Sequence, residues 1–133
     1  MVIGSGLSAA DAVLITNRFG LSVLHVFKSH KFLSDHKFSK SVHPEYYQVY
    51  SWMKNDEVST EYKALAQHEV MEIHHSGLEK RVRVKSADGS EMWYRVTFVS
   101  VMIGYQPVLK FLPKEFHCGK TLGVSLFLSH KII

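Results

Sequence analysis

The sequence predicts an α/β fold: a small parallel sheet joined to a three-stranded antiparallel meander. Three observations predict it. A short apolar run, Met1-Val2-Ile3, ends in Gly4-Ser5-Gly6 and leads into a segment with helical spacing. Further on, Val82 to Phe98 alternates with a period of two across an Asp-Gly turn. A nearly continuous apolar run, Val99 to Ile103, then closes on Gly104.

Met1 to Ile3 reads as the end of a buried strand, shorter than the usual length of about five or six residues. A helix follows from Ser8 to about Arg18, with Ala10, Val13 and Leu14 on one face. Gly20 stands just past its end, where a left-handed residue is tolerated. Leu21 to Phe27 mixes β-branched and aromatic residues and predicts a second strand, parallel to the first because a helix joins them. Lys28 to Ser41 is polar, basic and irregular. Pro44 opens a helix at its first position. Tyr46, Val49, Tyr50 and Met53 repeat along it, and Asn55-Asp56 breaks it. A second short helix is expected over Thr60 to Ala66.

His68 to His74 is the first strand of the meander. In the second, Val82 and Val84 alternate with Arg81, Arg83 and Lys85. Asp88-Gly89 makes the hairpin turn, and Met92, Tyr94, Val96 and Phe98 alternate beyond it. One face of this meander should be wet. The run Val99 to Ile103 fits a central parallel strand buried on both faces.

The chain has 133 residues, 46% of them hydrophobic and 21% charged, which suits one globular domain and excludes a disordered chain. A net charge of +4 permits an anionic partner without selecting a dinucleotide, a nucleic acid or a membrane surface. The one cysteine, Cys118, excludes an internal disulfide. Without Cys-x-x-Cys this chain cannot by itself be a dithiol reductase. No stretch reaches the ~18 apolar residues of a bilayer span, and no signal peptide is visible. A reducing, cytoplasmic setting with no membrane span is expected.

The segment Gly4-Ser5-Gly6-Leu7-Ser8-Ala9 matches G-x-G-x-x-A, preceded by a strand and followed by a helix. That is the context of a Rossmann-like NAD(P)-binding turn. Gly4 allows the tight bend, Gly6 lets the backbone approach a pyrophosphate, and Ala9 lets the helix pack close to the strand. Free N–H groups and the positive end of the helix dipole then favour phosphate. The alternative is a helix start whose small residues serve packing only.

The end of the second strand bears on which nucleotide binds. NAD sites usually place a carboxylate there, whereas a 2′-phosphate needs a cation. Here the order is Lys28-Ser29-His30-Lys31, with no carboxylate until Asp35. This favours NADP(H), with Lys28 as phosphate partner and Ser29 and Lys31 as helpers. The alternative for the lysines is a solvated loop charge.

Other constellations point nowhere. None of the nine histidines forms His-x-x-x-His, and His74 and His75 would face opposite ways on a strand, so no metal site is expected. They read as ordinary surface or strand histidines. His117-Cys118 has no orienting group, and no catalytic residue is assigned. Tyr46, Tyr47, Tyr50 and Trp52 read as core, while a half-exposed Trp93 could contact an absent domain. The basic stretch Lys28 to Lys40 belongs to no nucleic-acid module, so no nucleic-acid partner is expected.

The glycine turn, His25-Val26-Phe27-Lys28, His43-Pro44-Glu45-Tyr46 and Val101 to Pro107 together resemble the oxidative-stress-induced growth inhibitor proteins, relatives of flavin-containing monooxygenases. The resemblance runs from Met1 to about Pro113. It implies a two-nucleotide flavoprotein fold in which residues 1–113 are the NADP(H)-binding subdomain of an FAD-binding protein. It places Gly104 in a Gly-aromatic-x-Pro turn near the cofactors. It also implies monooxygenase-type chemistry on NADPH and oxygen, in oxidative-stress response and growth control. Departures are visible. The FAD fingerprint should lie upstream of Met1, so FAD belongs to the full-length context and its domain is missing here. Lys28 stands where relatives carry Arg, and a lysine meets phosphate only as a point charge. Residues 114–133 read as a divergent tail. The expected function is the NADP(H)-binding portion of a flavin-dependent oxidoreductase, incomplete as a catalyst alone. The alternative is a non-catalytic regulatory or interaction protein that keeps a degenerate nucleotide-binding fold.

Overall fold

Strand β1 (Val2–Ile3), helix α1 (Leu7–Arg18) and strand β2 (Val23–Phe27) form a β-α-β unit with parallel strands, Val2 opposite His25 and Ile3 opposite Val26. The structure is a computed structural model that describes residues 1–29, 39–55 and 59–104. Helix α2 (Pro44–Met53) leads to β3 (Tyr62–Ala66), which pairs parallel with β2. The meander follows as β4 (His68–Ser76), β5 (Glu79–Ser86) and β6 (Glu91–Val96), all antiparallel. Strand β7 (Ser100–Val101) then returns beside β1, again parallel. The parallel sheet has the order β3-β2-β1-β7.

Strand β2 explains the layering. Its Val23 and Phe27 join the helix-side core, and its Val26 joins the meander-side core. Covered on both faces, it reads as an almost unbroken apolar run. On one side Ala9, Ala10 and Val13 of α1 and Val49, Trp52 and Met53 of α2 are buried in the helix-side core. On the other, Val82 and Val84 of β5 are buried with Val26 and Leu65. Arg81 and Lys85, which alternate with these valines, are exposed and Arg83 is half-buried, so the meander's outer face is largely wet.

Local signals account for the ends. Helix α1 stops at Gly20 (φ +67), where Gly20 N–H donates to the Asn17 carbonyl and Leu21 N–H to that of Thr16. Pro44 occupies the first turn of α2, and Tyr46 Oη donates to Asp11 at 2.9 Å, tying the two helices together. In the hairpin, Gly89 takes φ +89, and Asp88 accepts from Ser90 N–H at 2.8 Å and from the Ser86 hydroxyl. These bonds to its charged form hold the Asp88 carboxyl down at about 2.

Two expectations are corrected. Thr60 to Ala66 holds no helix: Tyr62 to Ala66 is strand β3. Alanine and leucine favour a helix locally, but so short a segment gains little alone. Here β2 offers it a full ladder, from Val23–Tyr62 to Phe27–Ala66. Nor is Val99 to Ile103 a buried central strand. Its strand is Ser100–Val101, on the edge of the sheet, with Val101 54% and Ile103 74% exposed. Among the described residues no strand pairs with its outer side.

Candidate functional site

The chain runs outward along the sheet from β1 through β2 to β3, and only then returns to the far side of β1. Beyond the carboxyl end of β1, the connection through α1 leads toward β2 and away from β7. In open α/β sheets, ligands bind in the crevice outside the carboxyl ends of the strands. A cavity of about 890 Å³ lies there, lined by Gly4, Ser5, Gly6, Leu7 and Ser8, by Lys28, by Glu69, and by Met102 to Gly104. A wider hollow of about 1180 Å³ runs along the flank of α1, past Ile15, Leu21 and Thr60. Gly4 to Leu7 do not line it, so the smaller cavity is the candidate site.

The two glycines of the turn do different work. Gly4 has φ +131, and its N–H donates to the Val26 carbonyl at 2.9 Å. A Cβ there would lie 2.1 Å from the Met102 carbonyl oxygen, so the end of β7 holds this position to glycine. Gly6 is the N-cap of α1 at φ −88 and ψ −176, a conformation open to other residues. A Cβ on Gly6 would meet no atom within 4 Å. The open space lies over the first turn of α1, which has no side-chain cap and no acidic residue. The positive end of the helix dipole therefore carries no acidic residue in its own first turn. Ala9 is fully buried under this turn and off the cavity wall, as its packing role requires.

Beneath the turn sits a residue that the sequence reading treated as ordinary. His25, 0% exposed, bonds the Gly4 carbonyl through Nε2 and the Tyr62 hydroxyl through Nδ1, each at 2.7 Å. A carbonyl can only accept, so Nε2 carries the proton and Nδ1 accepts from Tyr62. Burial lowers the imidazole to about 4, against the opposing pull of the Gly4 carbonyl, and keeps it neutral near pH 7. Burial likewise pushes the Tyr62 phenol well above its ordinary range. The available signal was positional: His25 falls between Val23 and Phe27 on one face of β2, where a polar group needs partners.

Lys28 lies at the carboxyl end of β2 and lines the cavity, where its Nζ donates to Glu69 Oε1 at 2.8 Å. Ser29 is exposed and off the cavity wall. Gly104 lines the cavity with φ +77. Lys31 lies outside the described residues, as do Tyr105 to Pro107 of the final turn and the whole of 114–133. Among the described residues no three His, Cys, Asp or Glu side chains gather as a metal site. None of their helices is long and apolar enough to cross a membrane. Trp93 is 44% exposed on the meander, its ring 5.1 Å from the Arg81 guanidinium.

Comparison with known proteins agrees with this architecture. The chain is 30% identical over 121 residues to human oxidative stress-induced growth inhibitor 1, which covers 85% of this chain and 25% of that protein. It therefore spans about a quarter of the length of the curated relatives it matches. Among solved structures, thioredoxin reductase from Giardia duodenalis superposes with a TM-score of 0.60 at 19% identity, over 85% of this chain and 33% of its own. L-lysine 6-monooxygenase from Pseudomonas syringae does so at 0.59 and 20%, over 81% and 35%. At such identities the structural likeness speaks for the fold alone. The sequence profile described as pyridine nucleotide-disulphide oxidoreductase matches residues 1–126, and the chain belongs to that family.

Proposed function

We propose that this chain is the NADP(H)-binding portion of a flavin-dependent, monooxygenase-like oxidoreductase, with FAD held by residues outside it. One observation carries the reading. Beyond the carboxyl ends of β1 and β7, uncapped amides of α1 open onto a cavity that the absent side chain of Gly6 leaves clear. The pyrophosphate would lie on Gly4 to Ser8, with Lys28, Ser29 and Lys31 toward the 2′-phosphate and Gly104 on the opposite wall. Bound NADPH would supply a hydride to the flavin, and this chain's residues bind and orient the dinucleotide.

The names of its relatives support a place in oxidative-stress response and growth control. With its single cysteine this chain supplies no thiol pair of its own, so it does not by itself carry out dithiol exchange. In this reading residues 1–113 form the nucleotide-binding unit, 114–133 a separate tail, and the protein works in the cytoplasm.

Calorimetric titration of the full chain tests the proposal. NADPH should bind more tightly than NADH, and Gly6→Val should abolish binding while costing no more than about 1 kcal/mol of stability. Binding of neither nucleotide refutes it and leaves the regulatory or interaction reading.

A further inference from the structure

The cation at the end of β2 is held by a carboxylate that arrives from a distant part of the chain. Strand β3 passes directly into β4 through Gln67, a left-handed residue at φ +58. His68 Nδ1 donates to the Ala66 carbonyl at 2.6 Å and braces this corner. The corner brings Glu69 against Lys28, and both line the cavity that the glycine turn opens onto. A dinucleotide with its pyrophosphate on that turn directs its adenosine ribose toward the end of the second strand. The 2′-substituent therefore meets a paired lysine and glutamate.

The geometry points to Glu69 as the residue that sets the choice between a 2′-phosphate and a 2′-hydroxyl. The inference rests on the dinucleotide reading above. A 2′-hydroxyl can donate to Glu69 while Lys28 keeps its partner. A 2′-phosphate must draw Lys28 away or share it, and its two negative charges lie against the carboxylate. The pair is 73% and 56% exposed, so solvent screens it and Lys28 is readily drawn off. Glu69 therefore lowers the preference for NADPH without abolishing it, and the site accepts both nucleotides within a narrow ratio. Lys85 stands opposite Glu69 in the β4–β5 ladder.

Calorimetric titration of the full chain with NADPH and NADH tests this, using the wild type, Glu69→Gln and Lys28→Gln. Glu69→Gln keeps the shape and removes the charge. It should raise NADPH affinity about two- to fivefold and leave NADH affinity level or lower. Lys28→Gln should weaken NADPH and spare NADH. An NADPH-to-NADH ratio unmoved by Glu69→Gln overturns the role given to Glu69. If Lys28→Gln lowers that ratio all the same, the dinucleotide reading survives. A wild-type chain that binds neither nucleotide removes both.

Discussion

Replacing Gly4 by alanine should cost several kcal/mol, whereas the same change at Gly6 should cost little. At Gly4 a Cβ would sit 2.1 Å from the Met102 carbonyl oxygen and 2.7 Å from its carbon. Both are backbone atoms, so no rotamer change relieves the overlap. The φ of +131 adds strain of about 1–3 kcal/mol for a residue with a side chain. Moving the Met102 carbonyl away would also loosen the Met102 N–H bond to the Ile3 carbonyl, now 2.7 Å, worth about 1 kcal/mol. Together these reach about 2–4 kcal/mol before the overlap itself is counted, a large part of an ordinary domain's stability. Gly6→Ala adds a methyl to open space and should stay within about 1 kcal/mol, the scale of an altered N-cap. Urea unfolding followed by tryptophan fluorescence reads both, because buried Trp52 lies 5.4 Å from the Tyr62 ring. A Gly4→Ala cost below about 1 kcal/mol would refute the close approach of β7.

Acid should destabilise the fold through His25. Its folded pKa of about 4 lies below the ordinary 6.5, so the unfolded chain takes up the proton first. This part of the stability is intact above pH 6.5 and declines as pH falls toward 4, by about 3 kcal/mol in all. Unfolding free energies at about pH 7 and about pH 4.5 measure it, and His25→Gln should flatten the difference. Tyr62→Phe leaves His25 Nδ1 buried without its donor and should cost about 1–3 kcal/mol in urea. Met53→Ala, which empties a buried position of α2, should cost about 2–5 kcal/mol by the same measurement.

The sequence made the β-α-β unit legible because each signal in it is local. The glycines, the spacing Ala10-Val13-Leu14 and the apolar run Leu21 to Phe27 each lie within a dozen residues. The meander was legible for the same reason, through Asp88-Gly89 and a strict alternation. What escaped depends on pairing at a distance. Tyr62 to Ala66 becomes a strand only because β2 presents a ladder to it. Val99 to Ile103 was apolar enough for a core strand, yet position in a sheet is a property of neighbours, and it took the edge. Lys28 was singled out as a cation, but Glu69, 41 residues on, could not be seen beside it. His25 was visible as a polar residue in an apolar alternation. Its partners, Gly4 and Tyr62, are brought to it only by the folded sheet.

The pairing of β1 with β7 has a consequence for synthesis. Ile3 accepts from Met102 N–H, and Met1 accepts from Ser100 N–H, so the first strand finds its second neighbour almost a hundred residues later. At about 5–20 residues per second, a ribosome needs roughly five to twenty seconds to cover that interval. Throughout it the glycine bend lacks the Met102 carbonyl that packs against Gly4, and one side of β1 stands unpaired. Closing so long a loop is entropically slow as well. The nascent bend therefore acquires its final form late, when the return strand emerges and seats against it.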